Sequence, residues 1–359
     1  MRMLRQFSTE LMTYINVLKK RESGMSKSLK EIWAELASLS NSQEGIRRLR
    51  LEPDHFKVYA GWSTQIEQPA LILEIVTASL PTDIEFPQST GFSVSTTSLV
   101  PGRSGVVRIV IEALDDRFRD LFPVLIQDIY EYIILAANEI DMVRRTVSRL
   151  NHWQVFLKRH RHVRLSETEQ IGLWGELWFL HSRLIQQIGI EAAINSWQGP
   201  EGRNQDFEFN GTAIEVKTTA ASPHEKLHIS NARQLESAGL DNLYLYHIAL
   251  VVHRESGLSL PGLIADIRQL VQANSTTLES FNEQLFQTGY LESKSSWYEK
   301  TGYHVLSQNA YRIEAGFPRI ALDDILEGVG DVKFSVVLSA CSEYRVNPDP
   351  FSSGEDENA

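Results

Sequence analysis

The feature that most restricts the fold is an Asn210-Gly211 dipeptide between two short runs in which apolar and polar residues alternate. Both central residues of a two-residue type I′ loop need a positive φ, and Asn-Gly meets that need best. The dipeptide therefore predicts a β-hairpin. Its residues would pair outward from the loop as Phe209 with Thr212, Glu208 with Ala213, Phe207 with Ile214, and Asp206 with Glu215.

This register sorts the side chains of the hairpin onto two faces, because successive side chains of a strand point to opposite sides. One face is apolar and comprises Phe207, Phe209, Ile214 and Val216. The other face is polar and comprises Asp206, Glu208, Glu215 and Lys217. Residues directly opposite each other have Cβ atoms about 4.5–5.5 Å apart. Two carboxylates at that separation repel each other unless a cation lies between them.

The acidic pair Asp206 and Glu215, with Lys217 beside it, predicts a magnesium site. Mg²⁺ takes oxygen ligands, usually one or two carboxylates together with substrate phosphate and water. Lys217 would orient or help to deprotonate an attacking water, or stabilise charge on the phosphorus, as hydrolysis of a phosphodiester requires. The alternative is an ordinary polar face of a solvent-facing hairpin, because an Asp followed at loose spacing by Glu-x-Lys is common by chance.

Two further positions could support this site. Glu176 lies on or beside the apolar stripe of a helix that Ser166 opens with a predicted capping box, and a carboxylate there is costly unless it is paired, hydrogen-bonded or bound to metal. Gln234 follows Ser230, a candidate N-cap, and in the first turn of a short helix it could hold a water or phosphate oxygen. The ordinary alternatives are a boundary glutamate that reaches solvent and a surface glutamine.

Composition favours a folded protein of a reducing compartment. Hydrophobic residues make up 42% of the 359 residues, enough for a substantial core. The single cysteine, Cys341, excludes an internal disulfide and a cysteine-based zinc site. No run approaches the roughly 20 apolar residues of a membrane span, and the first twenty residues lack a signal-peptide pattern. We therefore expect a cytoplasmic protein with no membrane contact.

Charge is unevenly distributed along the chain. The net charge of −11 argues against a surface that binds nucleic acid everywhere. Between Met142 and Leu165, however, there is no acidic residue, and Arg159, Arg161 and Arg164 lie at the end of this basic segment. These arginines are candidate phosphate contacts, and the alternative is a solvated helix face followed by a basic loop.

Periodicity and turn signals divide the chain into five parts. We expect an N-terminal helical extension, a β-rich module, a basic helical linker interrupted near Pro123, an α/β domain with a mixed central sheet, and an acidic disordered tail. Their bounds are 1–45, 46–113, 114–165, 166–345 and 346–359, respectively. Sequence motifs of P-loop nucleotide-binding proteins, α/β-hydrolases and zinc proteases are absent.

Most of the chain, from about Lys30, resembles the bacterial PD-(D/E)XK motif proteins, with the specific motifs confined to about 166–245. The residues that carry the resemblance are Gly172-Leu173-Trp174-Gly175-Glu176-Leu177, Trp197-Gln198-Gly199-Pro200, Asp206-Phe207, Glu215-Val216-Lys217-Thr218-Thr219 and Gln234-Leu235. One departure is Gln205, which stands where the motif has a proline before the aspartate.

The resemblance implies a restriction-endonuclease-like core, a mixed sheet flanked by helices. It also implies an active site of Glu176, Asp206, Glu215, Lys217 and Gln234, with Asp206, Glu215 and Glu176 as ligands of Mg²⁺, or of Mn²⁺ as a substitute. Such proteins occur beside DNA methyltransferases and ATPases in restriction-like defence loci. The implied function is therefore that of a metal-dependent DNA endonuclease subunit in restriction or phage defence, with those proteins or a second copy of the chain as partners.

Two other functions remain open at this point. One is a catalytically silent nucleic-acid-binding or scaffold subunit with the same fold, although an intact acidic pair with its lysine argues against it. The other is action on RNA, because metal-assisted cleavage of a phosphodiester does not by itself distinguish the sugar.

Overall fold

The computed structural model describes residues 28–39, 46–51, 56–98, 105–114, 121–159, 164–220 and 226–347. The chain divides into two compact units, Met1–Arg161 and His162–Ala359, and each unit contains its own large sheet. Within the described ranges, no helix is both long and apolar enough to cross a membrane.

The first unit contains a five-stranded antiparallel sheet with strand order β1-β2-β3-β5-β4. Its strands are Ile46–Arg50 (β1), Lys57–Ser63 (β2), Gln68–Val76 (β3), Phe92–Ser98 (β4) and Val106–Ala113 (β5). Its described helices are Leu29–Ser38 (α1), Phe122–Ile133 (α2) and Glu139–Arg159 (α3). The central strand β3 is buried along most of its length, as its run of large aliphatic residues predicts.

Pro123 lies at the beginning of a helix. It lies in the first turn of α2, where the missing proline N–H costs no hydrogen bond and its fixed φ suits the helix. Residues 115–120 lie outside the described residues, so the expected interruption of a helix near Pro123 stays a prediction. Of the predicted terminal segments, 1–27 and 348–359 lie outside the described residues, whereas Val346, placed in the tail from the sequence, belongs to a short strand.

The second unit contains a mixed sheet with strand order β10-β11-β9-β7-β6, and one further strand, β13, pairs with β11. Strands β7 and β9 are parallel, and the other pairs are antiparallel. The strands of this unit are Phe207–Phe209 (β6), Thr212–Ala220 (β7), Lys226–Ile229 (β8), Asn242–Arg254 (β9), Leu258–Ser259 (β10), Thr301–Arg312 (β11), Phe334–Val337 (β12) and Arg345–Val346 (β13). Strands β8 and β12 form a separate two-stranded sheet. The predicted α/β class with a mixed central sheet is confirmed.

Helices cover one face of this mixed sheet. They are Glu167–Phe179 (α4), Ile190–Ser196 (α5), Leu260–Val271 (α6) and Ser275–Gln287 (α7). Helix α4 continues through a π-helical turn, Leu180–Leu184, into a last α-helical turn, Ile185–Ile188. The predicted capping box is present: the Ser166 hydroxyl accepts from the Glu169 N–H, and the Glu169 carboxylate accepts from the Ser166 N–H.

The two faces of β7 belong to two different hydrophobic cores. Ile214 and Val216 pack into the helix-side core together with Phe207 of β6. Ala213 packs into a smaller core that includes residues of the two-stranded sheet of β8 and β12. By strand alternation, Glu215 and Lys217 extend from the same side as Ala213.

The segment after the hairpin differs from the expected helix. It is a single 3₁₀ turn, Ala232–Leu235, and its N-cap is Asn231, whose side chain accepts from the Arg233 N–H. The expectation of Ser230 as the cap was therefore wrong. Asn231 follows Ser230 directly and caps equally well, so local sequence alone did not separate the two.

Candidate active site

The β6–β7 hairpin has the predicted register. Phe209 pairs with Thr212, Glu208 with Ala213, and Phe207 with Ile214. The loop residues Asn210 and Gly211 have φ values of 45° and 73°, as a type I′ turn requires. A side chain at Gly211 would also meet Asp241, since an added Cβ would lie 2.3 Å from Asp241 Oδ2.

The strand ladder ends one pair before the predicted Asp206–Glu215 pair, because β6 begins at Phe207. The main-chain carbonyl of Asp206 accepts from the N–H groups of Gln198, at 2.7 Å, and Gly199, at 3.1 Å. Its side-chain Oδ2 accepts from the Val216 N–H at 2.8 Å. The carboxylate of Asp206 is therefore fixed against β7 beside Glu215 by its own hydrogen bond.

Glu176 reaches the site because α4 lies unusually close to β7. The closest approach is at Gly175, where an added Cβ would lie only 1.7 Å from Thr218 Oγ1. Glu176 follows directly, and its Oε2 accepts from the indole Nε1–H of Trp197 at 2.8 Å. Trp197 is fully buried, so this hydrogen bond fixes the direction of the glutamate.

The carboxylates of Glu176 and Asp206 both lie beside Gly199. A Cβ added at Gly199 would lie 2.8 Å from Glu176 Oε2 and 3.2 Å from Asp206 Oδ1. Glu176 and Asp206 are each partly exposed as whole residues, whereas Glu215 has no exposed surface. The site thus has a buried floor at Glu215 and a partly open rim at the other two acids.

Lys217 is held between an acid and an amide. Its Nζ lies 2.6 Å from Glu215 Oε1 and donates to Gln234 Oε1 at 3.2 Å. The same Gln234 oxygen accepts from the main-chain N–H and the hydroxyl of Ser230, both at 3.0 Å. The side chain of Lys217 is 18% exposed, so its ammonium group is oriented but still accessible.

The three carboxylates repel one another, which makes their charged forms less favourable. Burial, followed by the charge of Asp206, raises the pKa of Glu176 to about 8, although the Trp197 hydrogen bond and the charge of Lys217 act in the opposite direction. Burial and then Asp206 likewise raise the pKa of Glu215 well above its usual range, despite Lys217. Three negative charges are therefore unfavourable here in the absence of a further cation.

Asp206 and Lys217 respond to the same cluster. Burial raises the pKa of Asp206, against the charge of Lys217 and the hydrogen bond from the Val216 N–H. Burial lowers the pKa of Lys217, but the charges of Glu215 and Asp206 outweigh it, so that the net shift is upward. Lys217 is therefore a cation at neutral pH, suited to stabilising negative charge.

The residues present fit a hard divalent cation with carboxylate ligands. Oε2 of Glu215 is buried and has no hydrogen-bond partner among the described residues, and an unpaired buried carboxylate oxygen is costly. Within the same ranges, no three His, Cys, Asp or Glu side chains form a preformed metal-binding group. Mg²⁺ usually takes one or two protein carboxylates and completes its shell with water and phosphate.

The structure describes two of the three arginines that were predicted to contact phosphate. Arg159 is the exposed last residue of α3 in the first unit, and Arg164 is exposed just before α4 in the second. Arg161 lies outside the described residues.

Three residues of the site had no assigned role in the sequence. Trp197 and Gly199 were part of the motif resemblance, yet their contacts with the acids depend on tertiary structure. Gln205, noted only as a departure from the motif, is buried and donates through Nε2 to the carbonyl of Arg233 at 3.0 Å. A short polar segment just before a predicted strand carries no local signal for such a contact.

These features define the PD-(D/E)XK nuclease-like class of fold: a mixed sheet, a glutamate (Glu176) on the first helix beside it, and a hairpin whose second strand carries Glu-x-Lys. A family model matches residues 29–339, and it is described as "Putative PD-(D/E)XK family member, (DUF4420)". The chain belongs to this family, and the restriction-endonuclease-like fold implied by the sequence is confirmed. Comparisons with curated proteins and with solved structures gave no significant match.

Proposed function

We propose that this protein is a metal-dependent phosphodiesterase that cuts DNA. The observation that carries the proposal is that the carboxylates of Glu176 and Asp206 meet beside Gly199, close enough for their charges to act on Glu215. Glu215 is paired with the Lys217 ammonium group through Oε1, while its buried Oε2 lacks a partner among the described residues. Such a cluster is unfavourable as a purely structural element. It becomes favourable when a divalent cation and a phosphate complete it.

Each side chain has a definite part in this reaction. Asp206 and Glu215, with Glu176 at the rim, would hold Mg²⁺ or Mn²⁺. When bound, the ion supplies Lewis-acid activation of water and neutralises charge at phosphorus. Lys217 donates to a non-bridging phosphate oxygen or orients the attacking water, while Gln234 holds its ammonium group in place. Trp197 fixes the direction of Glu176 by its indole N–H.

We extend the proposal to the setting implied by the family resemblance. The protein acts in the cytoplasm as an endonuclease subunit of a restriction or phage-defence system, with ATPase and methyltransferase proteins of the same locus or a second copy of the chain as partners. Arg159, Arg161 and Arg164 contact phosphates of the DNA. Neutralising them should weaken DNA binding and reduce its salt dependence.

The test is a cleavage assay on single- and double-stranded DNA, methylated and unmethylated, with RNA alongside, in Mg²⁺, Mn²⁺ or EDTA. Asp206→Asn and Lys217→Met should each lower the cleavage rate by about 10²-fold or more, since each removes a charged group from the transition state. Glu208→Gln is the matched control. Glu208 lies on the same hairpin but is exposed, so its loss should leave the rate unchanged.

The outcomes separate the candidate functions. Ion-dependent DNA cleavage that fails in both site variants supports the proposal. Cleavage that survives both substitutions refutes this site. DNA binding without cleavage under any condition, and with any locus partner, would identify a silent binding subunit instead, and cleavage confined to RNA would correct the substrate.

A further inference from the structure

Gln205 occupies the position that the motif gives to proline, and its side chain points away from the ladder toward the 3₁₀ turn 232–235. Its Nε2 lies 3.0 Å from the carbonyl oxygen of Arg233, 3.4 Å from that of Gln234 and 3.3 Å from that of Glu236. The residue is only 9% exposed. One buried amide therefore faces three carbonyl groups at the end of a single turn.

The end of a short helical turn is where carbonyl groups lack partners. Inside the turn, the Gln234 N–H bonds to the Asn231 carbonyl and the Glu236 N–H to the Arg233 carbonyl. The Arg233 carbonyl can accept a second hydrogen bond, and the carbonyls of Gln234 and Glu236 lie beyond the bonds of the turn, so all three can use a donor from elsewhere. A primary amide offers two N–H donors on one nitrogen. Proline offers no donor in its side chain, so the motif residue could not make this contact.

The turn fixed by Gln205 carries the only described amide that binds the ammonium group of Lys217. Gln234 accepts from Lys217 Nζ at 3.2 Å, and Lys217 in turn lies 2.6 Å from Glu215. Gln205 also directly precedes Asp206 in the chain. A path of hydrogen bonds thus leads from the residue before the aspartate, through the turn, to the lysine.

We infer that Gln205 is a positioning residue, which clamps the 232–235 turn and thereby sets the place of the Lys217 ammonium group through Gln234. Its meaning for catalysis rests on the proposed function, but the clamp itself is a property of the chain that can be measured without cleavage. Where the motif has a rigid proline, this chain has a glutamine that makes a long-range hydrogen bond.

The first measurement is amide hydrogen exchange on the full-length protein in EDTA. Gln205→Met keeps the length and apolar volume of the side chain but removes both donors. The amides of Gln234 and Glu236 should then exchange about 5- to 30-fold faster, corresponding to the loss of one or two hydrogen bonds. The amides of β9 should not change. Gln269→Met, on the exposed face of α6, is the control.

The second measurement follows Lys217 itself by its rate of acetylation with a small activated ester, read by mass spectrometry of the peptide. Exposed Lys226 serves as the internal reference. Gln205→Met and Gln234→Ala should each raise the rate for Lys217 about threefold or more. The double variant should react no faster than Gln234→Ala alone, because residues that act through one another are not additive.

Unchanged exchange at Gln234 and Glu236 would overturn the clamp. Faster exchange with additive acetylation rates, or with no change at Lys217, would overturn its link to the lysine. Both expected results in a protein that never cleaves nucleic acid would leave the clamp established and refute the proposed function. If Gln205→Met unfolds the protein, Gln205→Leu, which also removes both donors, is used in its place. The same increases are expected in both rates, and unchanged rates refute the clamp.

Discussion

Replacing Glu176 by glutamine should stabilise the metal-free protein, although it removes a residue of the site. Burial and the charge of Asp206 raise the pKa of Glu176 to about 8, from an ordinary value of 4.5. The folded protein at pH 7 must then either hold an unfavourable charge or take up a proton that the unfolded chain releases. Glutamine avoids both, and its carbonyl oxygen can still accept from the Trp197 indole.

The size of the effect follows from the shift. One pKa unit corresponds to about 1.4 kcal/mol, and pH 7 lies between the ordinary and the raised value, which gives an upper limit of roughly 3 kcal/mol. Asp206 and Glu215 share the same repulsion and relax when one charge is removed. We therefore expect a gain of about 1–2 kcal/mol in the free energy of unfolding in EDTA at pH 7.

The dependence on pH has a definite sign. A carboxyl group whose pKa is higher in the folded than in the unfolded protein costs no stability at a pH below its unfolded pKa. Its cost grows as the pH rises from the unfolded pKa through the folded pKa. The gap between Glu176→Gln and the wild type should be absent near pH 4 and grow between pH 4.5 and about 8. Urea unfolding curves in EDTA at several pH values measure it, with Glu208→Gln, which alters an exposed acid on the same hairpin, as the control.

Addition of Mg²⁺ should reverse the order of stability. A ligand that binds only the folded state stabilises it in proportion to its affinity, and the variant has lost one oxygen ligand. If Glu176→Gln is less stable than the wild type in EDTA at pH 7, or if the gap does not change with pH, the acids are not in electrostatic conflict. The physical basis for a cation at this site would then fail.

Three further perturbations have expected outcomes. Gly175→Ala should lower the free energy of unfolding by about 1–3 kcal/mol, because the new Cβ would overlap the hydroxyl of Thr218, and combining it with Thr218→Ala should recover part of that loss in urea unfolding. Gly199→Ala should abolish ion-dependent cleavage while circular dichroism stays unchanged, because its Cβ would press on Oε2 of Glu176. In the first unit, Glu74→Gln should lower the free energy of unfolding by about 2 kcal/mol at pH 7. Burial raises the pKa of Glu74, but the hydrogen bond from Arg108 and the ion pair with Arg48 outweigh burial, so the net shift of this pKa is downward. Because that pKa is lowered, the loss should shrink as pH falls below about 4, as measured by chemical denaturation.

The parts of the site that lie in one continuous segment could be predicted from the sequence. Asn210-Gly211 determined the pairing of three residue pairs, because turn chemistry and strand alternation act over a few residues. The capping box at Ser166 and the helix it opens followed for the same reason. Where two neighbouring residues were equally suitable, as with Ser230 and Asn231, local rules could not choose between them.

The contacts that orient the acids could not be predicted, because each joins segments far apart in the chain. The Trp197 indole meets Glu176 across 21 residues, and Gln205 meets the carbonyl of Arg233 across 28. Neither pair has a fixed spacing that chemistry demands. Strand β11 is hard to predict for a related reason. Only its end, near Tyr311, carries a clear strand pattern, and the first part of its length pairs with β9 through residues of mixed polarity.

The predictable and unpredictable parts of the site have different physical roles. Local rules place Asp206, Glu215 and Lys217 side by side, but proximity alone leaves these side chains free to turn away from one another and toward water. The long-range contacts remove that freedom: the Val216 N–H holds Asp206, the Trp197 indole holds Glu176, and the turn fixed by Gln205 holds Lys217. Because the acids cannot separate, their repulsion persists in the folded protein, and a divalent cation is the species best able to relieve it. Local rules thus fail at the contacts that hold the acids together, as expected where a fold keeps an unfavourable cluster for its chemistry.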